Sequence, residues 1–407
     1  MRILLSTKFY FPRGGDSVYT LALEKLLRDK GHETLAFSMD HPRNLPSPQA
    51  SDFVSHIDFA ESHERRSFRD TLRVPFRSVL SYEAYRNLDR LLAREKVDVA
   101  HLQNVHFQLT PSILYALRKH RVPVVWTLHD YVILCPASHF LSHGEICESC
   151  KPARYYQAVV KRCQRGSLSA SLLAATASAV PRFLGSYRSV ARFVTPSRFM
   201  REKFLDFGFP DRQLAQVPHF LDCVNIRPSR EIGKYFLYVG RLSSEKGPEI
   251  LLRAAPELTN EDIRLVGDGP DENRLRQEYG RQENVRFLGR REGQELRELF
   301  AGARAVVVPS VCYENFPMVI LEAYAHGKPV VASRIGAIPE LVEDGGTGLL
   351  FEPGNCAELA SKLRELVRSP ARAQDMGLRG RARVERELSP ESHYRLLEPL
   401  YREVTAG

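Results

Sequence analysis

Pro309-Ser310-Val311-Cys312-Tyr313-Glu314-Asn315-Phe316-Pro317-Met318-Val319-Ile320-Leu321-Glu322-Ala323 is the stretch whose reading decides the fold. It follows Arg304-Ala305-Val306-Val307-Val308, a short apolar run of the kind covered on both faces in a parallel sheet. Residues 316–326 then read as a helix. Pro317 suits the first turn, where a missing N–H costs nothing, and Gly327 ends it. Glu314 thus belongs to a strand-to-helix loop, and Glu322 lies further along the helix near the same mouth. In an open α/β sheet that mouth, outside the carboxyl ends of the strands, is where ligands bind. The helix start offers free backbone N–H groups and the positive end of the dipole to an oxygen-rich ligand. Two carboxylates bracketing it suit sugar hydroxyls, because a carboxylate accepts several hydrogen bonds.

The alternation of strand, loop and helix extends in both directions. Tyr235-Phe236-Leu237-Tyr238-Val239 reads as a strand, Gly240-Arg241-Leu242-Ser243-Ser244-Glu245-Lys246-Gly247 as its loop and 248–255 as a helix. Arg241 and Lys246 therefore lie at a strand's carboxyl end beside a helix start, suited to a diphosphate. Gly267-Asp268-Gly269 closes another strand but is no dinucleotide fingerprint, since Glu272 stands where a third glycine belongs. Residues 222–234, with Pro228, Ser229 and Gly233 and no apolar period, read as a linker. The first half opens with the strand Met1-Arg2-Ile3-Leu4-Leu5-Ser6, a turn-rich loop holding Gly14-Gly15, a helix over 18–30 and a strand over 33–39. Paired glycines let backbone approach a diphosphate closely. A strand over 122–128 ends in His129-Asp130, which brings an imidazole to the mouth. Two such series joined by a linker imply two doubly wound domains.

In this context Glu314, Asn315-Phe316-Pro317, Glu322-Ala323, Gly327-Lys328-Pro329-Val330-Val331-Ala332 and the glycine-rich residues 336–351 resemble the signature of family-4 glycosyltransferases, retaining enzymes of the GT-B fold. The loop from Gly240 to Gly247 resembles that family's phosphate-binding loop, and Gly14-Gly15 its first glycine loop. Thr127-Leu128-His129-Asp130-Tyr131 is similar to the element whose histidine contacts the donor sugar. The resemblance implies an α/β protein of two Rossmann-like domains facing a central cleft. Residues 1–222 would bind the acceptor, with a cysteine-containing insertion at about 135–163. Residues 223–389 would bind the nucleotide-sugar, and a last helix, 390–407, would pack back on the first domain. The implied reaction moves a sugar, with retention, from a UDP-, GDP- or ADP-sugar to a sugar or lipid-linked acceptor in bacterial surface polysaccharide or glycolipid assembly. No cofactor or metal is implied for catalysis. His129 would support the anomeric centre and Glu314 the donor-sugar hydroxyls. Gly14, Gly15, Arg241, Lys246, Asn315, Phe316 and Pro317 would hold the donor, and Glu322 its ribose. A non-catalytic nucleotide or nucleic-acid binder stands as an alternative, as does an epimerase or phosphorylase of the same fold. The chain has no G-x₄-G-K-[ST] loop and no nucleic-acid-binding pattern, so nucleic acid is not an expected partner.

The 407 residues are 43% apolar and 26% charged, an ordinary globular composition. A formal charge of +9 and a pI near 9.2 favour an anionic partner. The basic run 65–94, from Arg65 through Arg77, Arg86 and Arg90 to Arg94 and interleaved with Tyr82 and Tyr85, reads either as a solvated helical face or as a site for an anionic surface such as a membrane. No apolar stretch reaches transmembrane length, and the first residues do not read as a signal peptide. The expected location is the cytoplasm, peripheral at the inner membrane face. Cys135, Cys147, Cys150 and Cys163 fall together, and Cys147-x₂-Cys150 has zinc-ligand spacing. They read either as a structural zinc site or as four reduced thiols.

Overall fold

The computed structural model describes residues 1–56, 77–231 and 233–406. The first sheet is built from β1 (Arg2–Ser6), β2 (Glu33–Phe37), β3 (Val99–Leu102), β4 (Val124–Thr127), β7 (Arg192–Thr195) and β8 (Leu214–Gln216). A two-stranded antiparallel excursion, β5 (Leu141–Ser142) and β6 (Glu145–Ile146), lies apart from it. The first-sheet helices are α1 (Gly15–Asp29), α2 (Tyr82–Arg94), α3 (Ile113–Lys119), α4 (Tyr156–Val160), α5 (Leu168–Phe183) and α6 (Arg198–Asp206). The strand order is β2-β1-β3-β4-β7-β8, parallel throughout. Parallel strands carry helices on both faces, which is why the central runs Ile3-Leu4-Leu5 and Val124-Val125-Trp126 are apolar without alternation.

The second sheet repeats the plan with β9 (Tyr235–Val239), β10 (Asp262–Val266), β11 (Val285–Gly289), β12 (Ala303–Val308), β13 (Val330–Ser333) and β14 (Gly348–Phe351). Its order is β11-β10-β9-β12-β13-β14, again parallel. Around it pack α7 (Pro248–Ala254), α8 (Glu272–Tyr279), α9 (Gly293–Gly302), α10 (Met318–Ala325), α11 (Ile338–Leu341), α12 (Cys356–Arg368) and α13 (Pro370–Glu387). The last helix, α14 (Pro390–Ala406), returns to the first sheet, where Leu397 and Tyr401 pack with Val99, Val125 and Tyr19.

Each sheet reverses its winding once, between β1 and β3 in the first and between β9 and β12 in the second. Adjacent loops diverge at these points and leave a crevice. Lys8 and Asn104 follow β1 and β3, Gly240 and Ser310 follow β9 and β12, and all four line one cleft of about 1250 Å³ between the sheets. The helix expected over 316–326 begins at Met318 instead. Pro317 stands just before it in an extended conformation, φ −70° and ψ 107°. A proline also disfavours helical backbone in the residue before it, so Phe316 stays in the loop.

Candidate active site

Glu314 is buried and held on three sides. Lys246 Nζ donates to its two carboxylate oxygens at 2.7 and 3.0 Å, and Ser310 Oγ donates at 2.6 Å. Burial pushes the carboxyl pKa up, but the Lys246 ammonium and the Ser310 hydroxyl outweigh it and hold the group below its ordinary value. Burial alone would pull Lys246 down, and the Glu314 charge reverses this, so the ammonium is raised. The glutamate is therefore an anion and the lysine a cation at neutral pH. Gly336, at φ +58°, brings its backbone against this loop, where a Cβ would fall 2.6 Å from Glu314 N. Only glycine allows both that conformation and that approach.

Sequence reading assigned Arg241 and Lys246 to one diphosphate clamp. The structure already pairs Lys246 with Glu314. Arg241 is exposed at the cleft and has no ion-pair partner among the described residues. Glu322 lines the same wall from α10. Its carboxylate has no hydrogen-bond or ion-pair partner among the described residues, and burial raises its pKa to about 7.

The facing wall comes from the first sheet. Gly14 precedes α1 and Gly15 is its first residue. Ser17 Oγ accepts from the amides of Arg13 at 2.9 Å and Gly14 at 3.0 Å, which fixes this loop. A Cβ at Gly15 would lie 3.6 Å from Met318 Cγ, so the glycine loop faces the start of α10 across the cleft. His129 Nε2 is 2.7 Å from Gln103 Oε1, and its ring stacks on His219 at 5.0 Å. Burial lowers the His129 pKa, so the imidazole is neutral near pH 7, with Gln103 selecting the Nε2–H tautomer. Asp16, which sequence reasoning passed over, lines the cleft as well. Burial opposes its charge, but Lys8, His129 and a 2.9 Å bond from Asn104 keep its pKa below the ordinary value.

Three consecutive residues join the walls. The Tyr313 ring enters the first domain beside Phe199 and Phe140, at 4.8 and 5.7 Å. The Glu314 carbonyl accepts from the Tyr131 hydroxyl at 3.5 Å. Asn315 Nδ2 donates to the His129 carbonyl, while its Oδ1 accepts from the Phe316 amide. The side chain of Asn315 is thus spent on locking the loop to His129. Phe316 is buried against His219 at 5.3 Å, and Pro317 lines the cleft.

Two other expectations concern surfaces away from the cleft. In the basic run, Arg65, Arg66, Arg69 and Arg73 lie outside the described residues. Of the rest, Arg90 and Arg94 both pair with the buried Asp52, and Arg77 with Glu83. Those three guanidinium groups are engaged internally, while Arg86 is exposed with no ion-pair partner among the described residues. Cys135, Cys147, Cys150 and Cys163 do gather round one small cavity. All four are free thiols, and Lys161 Nζ donates to Cys147 Sγ at 3.3 Å. Among the described residues no group of three or more Cys, His, Asp or Glu side chains is arranged to hold a metal ion.

The family described as Glycosyltransferase Family 4 matches residues 13–224, and that described as Glycosyl transferases group 1 matches residues 233–369. The chain belongs to glycosyltransferase family 4. This family-4 chain is 37% identical over 174 residues to a D-inositol 3-phosphate glycosyltransferase from Corynebacterium aurimucosum, covering 38% of this chain and 41% of that one. It is 39% identical over 171 residues to a glycogen synthase from Thermus thermophilus, covering 41% and 38%. The match thus spans about two fifths of the length of these relatives. HepE from Anabaena, solved in complex with UDP and glucose, superposes over 99% of this chain and 100% of its own, with a TM-score of 0.69 at 19% identity. The fold is GT-B.

Proposed function

We propose that the family-4 chain transfers a sugar from a nucleotide-sugar to an acceptor with retention of anomeric configuration. The observation that carries this reading is the arrangement around Glu314: a buried ionised carboxylate in the loop before α10, backed by Lys246 and Ser310, across a cleft from His129 and Gly14-Gly15. The cleft volume, about 1250 Å³, exceeds an ordinary small-molecule pocket, roughly 300–1000 Å³, and suits a donor and an acceptor together. Glu322 offers a carboxylate with unused acceptor capacity for ribose hydroxyls. Arg241, aided by the α10 N-terminus, faces the diphosphate, where positive charge stabilises a departing anion without a metal. Glu314 accepts hydrogen bonds from the transferred sugar through lone pairs that Lys246 and Ser310 leave open. His129 supports the reacting carbon through its imidazole or its carbonyl, which Asn315 holds.

The UDP bound by the Anabaena neighbour makes UDP-sugars the first donors to try. A sugar or lipid-linked acceptor in bacterial surface polysaccharide or glycolipid assembly, met at the inner membrane face, completes the reading. A thermal-shift screen of UDP-, GDP- and ADP-sugars selects the donor, because binding raises the melting temperature by mass action. Proton NMR of the product then reads the anomeric configuration. An inverted product would overturn retention, and no turnover of any donor with any acceptor would leave a nucleotide binder.

A further inference from the structure

We infer that the exposed face of α5, with α4 beside it, is the surface by which this protein lies on an anionic lipid bilayer. Twelve large hydrophobic side chains are exposed among the described residues, and six of them fall between positions 156 and 184: Tyr156, Val160, Leu168, Leu172, Phe183 and Leu184. Such clustering marks an interaction site, whereas single exposed hydrophobics do not. Leu168, Leu172, Thr176 and Phe183 recur at spacings that share one helix face. Thr176 turns its hydroxyl back onto the Leu172 carbonyl at 2.8 Å, so it adds a methyl group to that stripe. The stripe runs about 22 Å along the helix. The opposite face is not free: Ala174, Ala175, Ala177 and Ser178 are buried. The helix is thus wedged into the first domain and has only one face to offer.

Charge says what covers that face. From position 149 to position 201 the chain has ten lysines and arginines and no aspartate or glutamate; Lys151, Arg192, Arg198 and Arg201 pair with acidic residues outside the segment. Arg154, Arg162, Arg165 and Arg188 are exposed there, with no ion-pair partner among the described residues. An apolar stripe with unpaired cations alongside is the pattern of an interfacial helix, its apolar side chains among the acyl chains and its cations at anionic headgroups. A second protein copy would meet its own positive charge here, which disfavours self-association. The described residues contain no helix long and apolar enough to cross a membrane, so the contact is with the surface.

The position gives docking a consequence for the site. On the inner face of α5, Ser178 Oγ donates to the Val132 carbonyl at 3.1 Å, three residues beyond His129. The docked helix therefore backs the segment that carries His129, and a lipid-linked acceptor would reach the cleft from this side. The inference rests on the proposed transfer only for that purpose, and binding is read separately from turnover.

The test is sedimentation with vesicles of phosphatidylcholine alone or with 30% phosphatidylglycerol, in low and high salt. The double variants are Leu172→Gln/Phe183→Gln and Arg162→Gln/Arg165→Gln, with Arg86→Gln as a control on the exposed face of α2. Wild type and the control should pellet with anionic vesicles and be released by salt. Each double variant should lose about tenfold or more in partition coefficient. Nucleotide-sugar binding by calorimetry checks that the variants are folded, and unchanged binding there with lost sedimentation supports the surface. Equal pelleting of wild type and both double variants overturns the inference, as does a loss confined to Arg86→Gln. A wild-type dimer in sedimentation velocity that Leu172→Gln/Phe183→Gln dissolves would assign the face to a second copy. Vesicle binding without turnover would refute the transferase reading and leave the docking surface standing.

Discussion

Replacing Glu314 by glutamine tests the centre of the site, because it keeps the shape and removes the charge. In the wild type the carboxylate receives two bonds from Lys246 and one from Ser310. Glutamine retains one oxygen, enough for Ser310 or for Lys246, and turns an amide donor toward the other. Breaking a buried pair outright costs about 3–5 kcal/mol. The Lys246 side chain is 35% exposed, so it can swing to water, and the loss shrinks to about 1–2 kcal/mol. For a chain of 407 residues that is a fall of about 1–2 °C in melting temperature. Turnover should suffer more. A hydrogen bond to a charged group is worth about 1.5–3 kcal/mol, so losing one that matters in the transition state lowers kcat about 10- to 150-fold.

Affinity for the free nucleoside diphosphate should move the other way or not at all. Without its glutamate partner Lys246 becomes an available cation within reach of Arg241, and a diphosphate gains rather than loses attraction. Titration calorimetry with the diphosphate beside steady-state kinetics separates the two effects, with Glu322→Gln in parallel. Glu322→Gln should weaken the diphosphate about 10- to 150-fold, because the ribose loses a charged acceptor. If Glu314→Gln loses diphosphate affinity as badly as Glu322→Gln, the division of labour between the two carboxylates is wrong. If Glu314→Gln turns over normally, the Lys246–Glu314 pair is only structural.

Glu322 also sets a pH dependence. Its folded pKa, about 7, lies above its ordinary value of 4.5, so the folded state keeps a proton that the unfolded chain has lost. Stability contributed by this group is therefore full below about pH 4.5 and falls as pH rises through 7; calorimetric melts from pH 5 to 8 should show a decline that Glu322→Gln flattens. Affinity for a nucleoside without phosphates should rise over the same range as the carboxylate forms, and a profile equally steep in Glu322→Gln would refute the assignment. In the cysteine cluster, burial pushes Cys135 to about 11 and Cys150 to about 12. Burial of Cys147 is outweighed by Ser149 and Lys161, which lower its pKa. Iodoacetamide at pH 8 should therefore label Cys147 first, read by peptide mass spectrometry; equal protection of all four thiols until a chelator is added would show a bound metal instead.

How much of this was legible in the sequence depended on range. The strand of Val306-Val307-Val308, the placement of Glu314 after it and of Glu322 on the helix were legible because apolar runs, proline and glycine act within a few residues. The start of α10 was misplaced by two residues, since proline at the edge of a helix is compatible with either side of the boundary. The Lys246–Glu314 pair spans 68 residues, and nothing local announces that a carboxylate so far along the chain meets that lysine. The partners of the basic run were out of reach for the same reason. Arg90 answers to Asp52, 38 residues earlier, a partner that only folding brings near. Asp16 stayed hidden because one acidic residue in a helix's first turn ordinarily just complements the dipole. The stripe on α5 carried a signal that could have been read: a long stretch with cations and no acids, beside exposed apolar spacing.

The strongest structural argument for a shared, two-walled site lies in Tyr313, Glu314 and Asn315. The apolar cores of the two domains are separate clusters, so core packing alone would leave their relative position soft. Tyr313 crosses the gap and packs its ring with Phe140 and Phe199 of the first domain, with its hydroxyl 3.1 Å from Glu148. Asn315 crosses beside it and binds the His129 carbonyl. The residue between them is Glu314, whose side chain turns back to Lys246 in the second domain. Any movement of one domain against the other must therefore shift Glu314 relative to Lys246 or His129 relative to Asn315. Opening of the cleft to admit donor or release product is thereby coupled to the geometry of the two residues proposed to act on the sugar.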